Sequence, residues 1–598
     1  MAKEIYERKD IEEKYKWDLE SMYDGFPSWN LDFEKAMKMA ERFQKHRGKL
    51  SQSSDNLLQA LKDRDKLYIL VSNLAGYTHM KLDEDTRISD SQELSDKGMK
   101  LIVEANEKTS FLIPEILTIE DSKLKEFFRE NQELELYKHH IEDIVRERDH
   151  TLSPREELIL AQVGEIGNSP SKIYSMLSNA DLIFPKVKDK EGNAVEITQG
   201  NFVPLLQSKD REYRKEVFEE FYGVFEDFKN TFAASLSGEI NKNIFNANIR
   251  NFNNSREAAL SHNNIPASVY DNLVKGIHNQ FDSIYKYMDL RTKALGIDQH
   301  HMYDVYVPMV SEIDLEYTYE ECLDIITEAL EPLGEEYIEI MKKAFNSRWI
   351  DVYENRGKRS GAYSSGSYES KPFILLNFHG QLDDLFTIAH EMGHSMHSYF
   401  TRNTQPYVYE NYSIFLAEVA SMLNEALLLD YMINRTNDKN EKKYLLNHYL
   451  DSFRTTMFRQ TMFAEFEQKI HETVENGGAL TAEYLKKTYK GLNELYYGQN
   501  TVIDDGIDME WARIPHFYMN YYVFQYATGF AAASALSRMI LKEEEGAVER
   551  YMEFLKSGGS DYPINTLRKA GVDMTTTEPV ENCMKIFREL LIEFEKLI

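Results

Sequence analysis

The spacing of apolar residues along the chain favours helices over strands. Strand-like runs are few and lie within 183–197 and 373–378. Apolar positions recur with the helical period in longer segments, at 57–80, 94–111, 211–232, 269–295, 320–345, 442–475 and 521–541. The chain has only 14 prolines and has long stretches of Glu, Lys, Leu and Ala, which favour helix. The pattern predicts a mainly α fold, a large helical body with a small β-sheet.

The 598-residue chain shows no internal repeat, no low-complexity tract and no long linker rich in Pro, Gly or Ser. A hydrophobic content of 42%, with 12% aromatic residues, is ample for a large core. The stretch Lys186-Val-Lys-Asp-Lys-Glu-Gly-Asn is typical of a hairpin turn and indicates a coarse boundary. We therefore expect an N-terminal helical region at 1–195 and a second region at 196–598, which contains the motifs described next.

The segment His390-Glu391-Met392-Gly393-His394 has the pattern His-Glu-x-x-His, which is typical of zinc hydrolases. On a helix, residues four apart lie about 40° from eclipsed and about 6 Å along the axis, so both imidazoles can bind one ion. A catalytic zinc keeps a water as its fourth ligand, and a carboxylate beside that water can accept its proton. The motif predicts His390 and His394 as metal ligands and Glu391 as a general base.

The flanks of this motif separate it from a chance match on a surface helix. Asp383 or Asp384 can cap the start of a helix after Gly380. An apolar stripe of helical period runs through the segment and consists of Leu385, Phe386, Ile388, Ala389, Met392 and Met396. The histidines are therefore expected on a largely buried helix, where imidazoles need partners that a metal ion can supply.

A third protein ligand is expected from a second buried helix, in the sequence Ser413-Ile-Phe-Leu-Ala-Glu-Val-Ala-Ser-Met-Leu-Asn-Glu. Its Glu418 lies 28 residues after His390, which leaves room for a loop and an antiparallel return. Because a carboxylate is costly to bury without a partner, we predict Glu418 as the third zinc ligand. Glu425 either orients a zinc-binding histidine or forms the polar edge of the helix. His397 is a fourth ligand only if the site keeps no water.

Segments between about 350 and 530 match a known family in sequence order. They are Gly361-Ala-Tyr-Ser-Ser-Gly, Lys371-Pro-Phe-Ile-Leu-Leu-Asn-Phe, Thr387-Ile-Ala-His-Glu-Met-Gly-His-Ser-Met-His, Phe415-Leu-Ala-Glu-Val-Ala-Ser-Met-Leu-Asn-Glu and Ile514-Pro-His-Phe-Tyr-Met-Asn-Tyr-Tyr-Val-Phe-Gln-Tyr-Ala-Thr-Gly. These segments and the chain length resemble the thimet-oligopeptidase-like zinc metallopeptidases, and within that family the oligoendopeptidase F group.

The resemblance implies one zinc ion per chain, held by His390, His394 and Glu418, with Glu391 as the base. It also implies that helices wrap around a deep substrate channel with zinc at its floor. Oligopeptides would enter such a channel, and folded proteins would be excluded by their shape. The region 196–598 would then be the catalytic metallopeptidase region.

The segment around His516 offers further hydrogen-bond donors, with one imidazole and four phenols within eleven residues. Peptide hydrolysis builds negative charge on the carbonyl oxygen, and a donor aimed at that oxygen contributes about 3 kcal/mol. The resemblance assigns this role to His516 and to a tyrosine about six residues on, which is Tyr522. The family often has a second tyrosine at the position of Phe524. For Tyr518, Tyr521 and Tyr526, packing in a core is the favoured interpretation.

A short apolar strand is predicted at Phe373-Ile-Leu-Leu-Asn-Phe, after a segment at 357–367 that is rich in Gly, Ser and Tyr. An extended peptide can pair with the edge of such a strand through its main chain, which suits broad specificity. The alternative is a strand wholly buried within a small sheet. Candidate substrate contacts are Gly361, Phe373, Leu375 and Tyr518, the last of which is otherwise a core tyrosine.

Charge and cysteine content exclude several classes of protein. The net charge of −30, from 70 basic and 100 acidic residues, argues against a nucleic-acid partner. No stretch approaches about 18 consecutive apolar residues, and the first ten residues lack the apolar core of a signal peptide, so neither a membrane nor export is expected. Cys322 and Cys583 lie outside any metal-type spacing, which predicts reduced thiols in a cytoplasmic protein.

Together these features favour a zinc-dependent endopeptidase that acts on oligopeptides. The first alternative is a carboxypeptidase or dipeptidyl carboxypeptidase, which needs a cation for the terminal carboxylate; Arg513 and Arg359 are available. The second alternative is a peptide-binding protein without catalysis. Cleavage of a peptide with both ends capped favours the endopeptidase.

Overall fold

The computed structural model describes residues 5–310 and 315–598. The helices before residue 310 are α1 (Phe26–Phe43), α2 (Ser54–Glu84), α3 (Ser89–Thr109), α4 (Leu112–Leu117), α5 (Asp121–Glu130), α6 (Lys138–Arg146), α7 (Pro154–Gly167), α8 (Ser169–Met176), α9 (Phe202–Leu206), α10 (Arg211–Asp227), α11 (Lys229–Ile249), α12 (Ser255–Ser261), α13 (Ala267–His278) and α14 (Phe281–Leu295). The later helices are α15 (Tyr319–Ala329), α16 (Glu335–Asn346), α17 (Leu382–Thr404), α18 (Ile414–Arg435), α19 (Lys439–Phe453), α20 (Gln460–Glu475), α21 (Ala482–Tyr497), α22 (Phe524–Leu541), α23 (Ala547–Ser557), α24 (Pro563–Ala570) and α25 (Glu578–Glu595).

The strands are short and form small sheets. They are β1 (Lys186–Lys188), β2 (Ala194–Glu196), β3 (His300–His301), β4 (Ile350–Asp351), β5 (Tyr363–Ser365), β6 (Phe373–Leu375) and β7 (Thr501–Val502). Strands β1 and β2 pair antiparallel as the predicted hairpin, and β3 pairs parallel with β7. Helices account for 71% of the chain, so the predicted mainly α class is confirmed.

Local sequence explains where the long periodic segments continue and where they break. The segment at 442–475 is continuous helix, in which the π turn Arg454–Arg459 joins α19 to α20. The segment at 320–345 is divided between α15 and α16. The break occurs because Pro332 cannot continue a helix and Gly334 has a φ of +90°, which glycine adopts readily.

The chain divides into two compact units. The first unit comprises Met1–Asp149, Leu315–Tyr431 and Leu536–Gly571, and the second comprises His150–Asp314, Met432–Ala535 and Val572–Ile598. Each unit is therefore built from separate stretches of sequence. The division into 1–195 and 196–598 and the deep channel stay predictions.

The first unit contains a three-stranded sheet next to α17, which confirms the predicted small sheet beside the motif helix. Strand β6 lies in the middle, parallel to β4 and antiparallel to β5. Phe373 and Leu375 have no exposed surface and belong to a core with Trp17, whose ring centroid lies 6.1 Å from that of Phe373. A peptide cannot pair with β6, because β4 and β5 occupy both of its edges, and the two side chains cannot contact substrate. The alternative of a buried strand is the one found.

In the second unit, α10, α11, α20 and α21 pack around aromatic side chains. The ring of Phe202 stacks on Phe221 with centroids 3.7 Å apart, and Phe466 and Tyr489 meet edge to face at 5.1 Å. This core supports two 3-10 segments, Ile507–Arg513 and Pro515–Tyr518, which precede α22.

Two further predictions from the sequence concern membrane-spanning helices and the state of the cysteines. Within 5–310 and 315–598, none of the helices has the length and apolar character needed to span a bilayer. Cys322 and Cys583 are both free and buried, and burial raises the pKa of each thiol to about 12. Such thiols are unreactive structural groups.

Candidate active site

Helix α17 carries the whole motif at 390–394. The N-cap residue is Gln381, where the sequence predicted Asp383 or Asp384; Asp384, the third residue of the helix, completes a capping box by accepting a hydrogen bond from the backbone N–H of Gln381 at 2.9 Å. The predicted apolar stripe is buried. The histidines therefore lie on a rigid helix whose other faces are held by the core of the first unit.

The structure brings His390, His394 and Glu418 together. Their ligand atoms all lie within 4.8 Å of one another. Glu418 Oε2 is 3.4 Å from His390 Nε2 and 3.7 Å from His394 Nε2. Zinc bonds of about 2.1 Å in a tetrahedron place ligand atoms about 3.4 Å apart. Two imidazole nitrogens and a carboxylate oxygen at these separations fit a zinc ion, and they leave its fourth position for water.

The close crossing of α17 and α18 creates this geometry. A Cβ added at Gly393 would lie 2.5 Å from Ser421 Cα and 2.7 Å from the Ala420 carbonyl oxygen, so the backbones meet at a glycine. The buried Asn424 side chain donates a hydrogen bond to the Ala389 carbonyl oxygen at 3.0 Å. Neither contact is predicted from the sequence, although an amide within an apolar helix indicates a buried polar contact.

Each imidazole has a further hydrogen-bonding partner besides Glu418. His390 Nδ1 is hydrogen-bonded to Glu425 Oε1, and the backbone carbonyl of Ala417 accepts a hydrogen bond from His394. Of the two interpretations of Glu425, the structure therefore favours the one in which it orients a histidine. Burial lowers the pKa of His390, but the hydrogen bond and charge of Glu425 outweigh this effect and raise it to about 9. Burial, with the neighbouring His390, lowers the pKa of His394 to about 4.

Glu391 is buried, with 7% of its surface exposed. It accepts a hydrogen bond from the backbone N–H of Ser364 in β5, a contact with no sequence signal. The Ser364 hydroxyl also lies 2.8 Å from that of Ser395 on α17, which ties the strand to the helix. Burial raises the pKa of Glu391 to about 7. A carboxylate with a pKa near neutrality can both accept and release a proton.

His397 lies outside this cluster. Its ring stacks on Tyr412 with centroids 3.6 Å apart and is 1% exposed. The fourth-ligand alternative is therefore wrong for His397. Gly361, by contrast, is exposed and lines a pocket of about 330 Å³ together with Thr387 and Ile388, one turn of α17 before Glu391.

In the second unit, His516, Tyr522 and Tyr526 form a half-buried cluster. The His516 and Tyr522 rings are nearly parallel with centroids 6.0 Å apart, and Tyr526 Oη lies 3.4 Å from His516 Nε2. Burial lowers the pKa of His516, with a smaller contribution from the positive charge of Arg459. The sequence alone favours a core role for Tyr526. Tyr526 follows Tyr522 by four residues, and this short separation along the chain was the available sequence signal, although Tyr522 precedes α22.

The remaining aromatic residues of this segment pack away from the cluster. Tyr518 stacks on Tyr174 with centroids 4.4 Å apart, and Phe524 lies 5.2 Å from the ring of Tyr270 and is buried. Tyr521 is also buried. The substrate contact predicted for Tyr518 gains no support from this packing, which matches the core alternative.

The two arginines considered for a carboxypeptidase are already engaged. Arg513 lies 5.2 Å and 5.4 Å from the ring centroids of Phe202 and Phe221, and 3.9 Å from a carboxylate oxygen of Glu510. Arg359 Nη1 lies 3.6 Å from Asp83 Oδ1. Neither arrangement presents a cation held for a terminal carboxylate.

Known proteins resemble this chain over its whole length. It is 48% identical over 597 residues to oligopeptidase PepF of Bacillus subtilis (strain 168), with 100% of this chain and 89% of that protein covered. It is 43% identical over 591 residues to group B oligopeptidase PepB of Streptococcus agalactiae serotype III (strain NEM316), with coverage of 99% and 98%.

Solved structures agree with these sequence relationships. The crystal structure of oligoendopeptidase-F from Enterococcus faecium has a TM-score of 0.74 at 39% identity, covering 97% of this chain and 99% of that one. A Chlamydophila abortus crystal structure has a TM-score of 0.94 at 37% identity, covering 100% of both. The oligopeptidase F family model matches 115–184, and the peptidase family M3 model matches 204–586, which includes the whole metal-ligand cluster. The chain therefore belongs to peptidase family M3.

Proposed function

We propose that this protein is a zinc-dependent endopeptidase that hydrolyses internal bonds of oligopeptides in the cytoplasm. The observation that carries the proposal is the cluster of His390, His394 and Glu418, with the buried Glu391 beside it, in a chain of a peptidase family. One zinc ion per chain would occupy this cluster. The two buried, free thiols support a reducing compartment.

Glu391 is the proton carrier in this mechanism. Zinc bound to the cluster would polarise the scissile carbonyl and acidify a water molecule. Glu391 accepts a proton from the attacking water and then donates it to the leaving amine. The backbone N–H of Ser364 is placed to donate a hydrogen bond to this carboxylate. Glu425 fixes the ring of His390 so that Nε2 faces the metal position.

The proposal assigns stabilisation of the oxyanion to His516 and Tyr522. This assignment rests on the family resemblance and on the pairing of the two rings within the second unit. Tyr526 supports the pair, because its hydroxyl group can hold the His516 imidazole in one orientation.

Replacement of Tyr522 by phenylalanine tests this assignment. We expect Tyr522→Phe to lower kcat by about ten- to a thousandfold, because one hydrogen bond to the transition state is lost. Zinc content should remain that of the wild-type protein. Steady-state kinetics with an internally quenched peptide and metal analysis measure both quantities. A wild-type kcat would return Tyr522 to a role in packing.

Substrate alignment is proposed for the outer edge of β5. Within the described residues β5 pairs with β6 alone, and its Ser364 contacts Glu391. An extended peptide on this edge would pass next to the general base, and Gly361 opens the adjoining pocket to a side chain. Main-chain pairing of this kind accepts many sequences.

An endopeptidase and a carboxypeptidase differ in their need for a free C-terminus. We expect cleavage of a peptide that is acetylated at one end and amidated at the other, with one zinc ion per chain by metal analysis. Mass spectrometry of the products locates the cut. Cleavage that requires a free carboxylate would favour the carboxypeptidase, and a zinc-loaded protein without any cleavage would favour the peptide-binding alternative. The engagement of Arg513 and Arg359 weighs against the carboxypeptidase.

A further inference from the structure

The loop that leads to Tyr522 has an unfavourable backbone conformation. Asn520 and Tyr521 have φ angles of +42° and +57°, in the left-handed region. Asparagine tolerates this region, but a bulky residue such as tyrosine rarely adopts it. Two consecutive residues in this conformation persist only where surrounding contacts hold them.

Both ends of this loop are anchored by the core. Phe517 and Phe524 are each 1% exposed, and the ring of Phe517 packs against Phe466 on α20 at 5.2 Å. These anchors define where the loop begins and ends. The two anchored phenylalanines do not fix the course of the backbone between them. This course sets the position of the Tyr522 hydroxyl group.

A buried glutamate on α20 contacts the middle of the loop. Glu467 has no exposed surface, and its Oε1 accepts a hydrogen bond from the backbone N–H of Tyr521 at 2.6 Å. Its Oε2 has no hydrogen-bond partner within the described part of the chain. Burial raises the pKa of Glu467 to about 8, and the Tyr521 hydrogen bond opposes this shift. Glu467 is thus a carboxyl group in the core whose single hydrogen bond holds a strained peptide unit.

We propose that Glu467 is a positioning residue, which holds the Asn520–Tyr521 turn in its left-handed conformation and thereby places Tyr522 for catalysis. The inference rests on the proposed function, because it requires Tyr522 to act on the substrate. Glu467 itself contacts the backbone of the loop and takes no part in proton transfer. Loss of its acceptor oxygen lets the turn relax, and the Tyr522 hydroxyl group moves away from its working position.

Two substitutions of similar size separate the effect of the Glu467 acceptor oxygen from the effect of the volume of its side chain. Glu467→Met fills the space without an acceptor, and we expect it to lower kcat by about ten- to a hundredfold with little change in KM, since small misplacements have effects of this size. Glu467→Gln keeps an acceptor oxygen and should retain at least about a third of kcat. Glu465→Gln, on the same helix, removes the charge that pairs with His278 and should leave kcat unchanged.

A double-mutant cycle with Tyr522→Phe distinguishes positioning from general destabilisation. Glu467→Met combined with Tyr522→Phe should have a kcat within about threefold of Tyr522→Phe alone, because both changes remove the same interaction. Effects that multiply in the double variant would overturn the proposal. If Glu467→Met has a wild-type kcat while Tyr522→Phe has a lowered one, the positioning role of Glu467 is overturned and the oxyanion assignment stands. A wild-type kcat in Tyr522→Phe would overturn both the oxyanion assignment and this inference.

A rescue experiment addresses the backbone directly. Glycine adopts positive φ without steric penalty, so Asn520→Gly added to Glu467→Met should raise kcat by about threefold or more. Circular dichroism and zinc content verify that each variant is folded and loaded. If Glu467→Met does not fold, Glu467→Leu replaces it, because leucine is also apolar and has no acceptor oxygen. A wild-type kcat in that variant, or a lowered kcat that Asn520→Gly does not raise, would contradict the proposal.

Discussion

Glu391→Gln is expected to abolish nearly all turnover while zinc stays bound. The amide cannot accept the proton of the attacking water, and loss of a general base lowers kcat by about 10²–10⁴. Glutamine has the same shape, and its oxygen can still accept the hydrogen bond from Ser364. The ligand atoms of His390, His394 and Glu418 are untouched by the change.

The experiment measures kcat with a capped, internally quenched peptide and zinc by metal analysis on the same preparation. Asp383→Asn is the matched control, because it makes the same chemical change on an exposed residue of α17. We expect the control to retain wild-type activity. Peptidase activity close to wild type in zinc-loaded Glu391→Gln would remove Glu391 from the proposed role.

Gly393→Ala is expected to weaken zinc binding and destabilise the fold. The added Cβ would lie 2.5 Å from Ser421 Cα and 2.8 Å from the Ala420 carbonyl carbon, and backbone atoms cannot rotate away as a side chain can. Helix α18 must move instead, and Glu418 moves with it. Overpacking of this kind lowers the free energy of unfolding by about 1–3 kcal/mol.

The same displacement is expected to weaken metal binding. A displaced Glu418 leaves the range of separations that suits one zinc ion, and we expect zinc binding to be weaker by about ten- to a hundredfold. Gly76→Ala in α2 is the control, since its added Cβ would meet no atom within 4 Å. That change should slightly stabilise the protein, as alanine is the better helix former. A zinc Kd in Gly393→Ala equal to wild type would show that α18 tolerates the methyl group.

Several features of the site could be predicted because they depend on neighbours along the chain. The four-residue spacing of His390 and His394, the capping aspartate and the apolar stripe all belong to one helix, α17. Helical period alone placed Glu418 on a second buried helix. These predictions needed only the geometry of a helix and the free energy of burying apolar side chains.

Other features were predicted wrongly from the sequence, or not at all, because they depend on which segments of the chain meet. The apolar run at β6 is compatible with an edge strand or a central one, and its pairing with both β4 and β5 decided the question. In the segment around His516, some tyrosines pack in the core and others contact His516, and the residue type alone does not distinguish the two groups. The contact of Ser364 with Glu391 joins residues from different elements and leaves no local pattern.

The sequence by itself determined the helical class, the motif helix and the identity of the metal-binding residue types, because each follows from short-range periodicity and side-chain chemistry. Only the tertiary structure decided that α17 and α18 approach closely enough at Gly393 to bring Glu418 within 3.4 Å of His390, and that Glu467 supports the turn before Tyr522. The physical reason is that such contacts join distant parts of the chain, and their geometry depends on how whole elements pack.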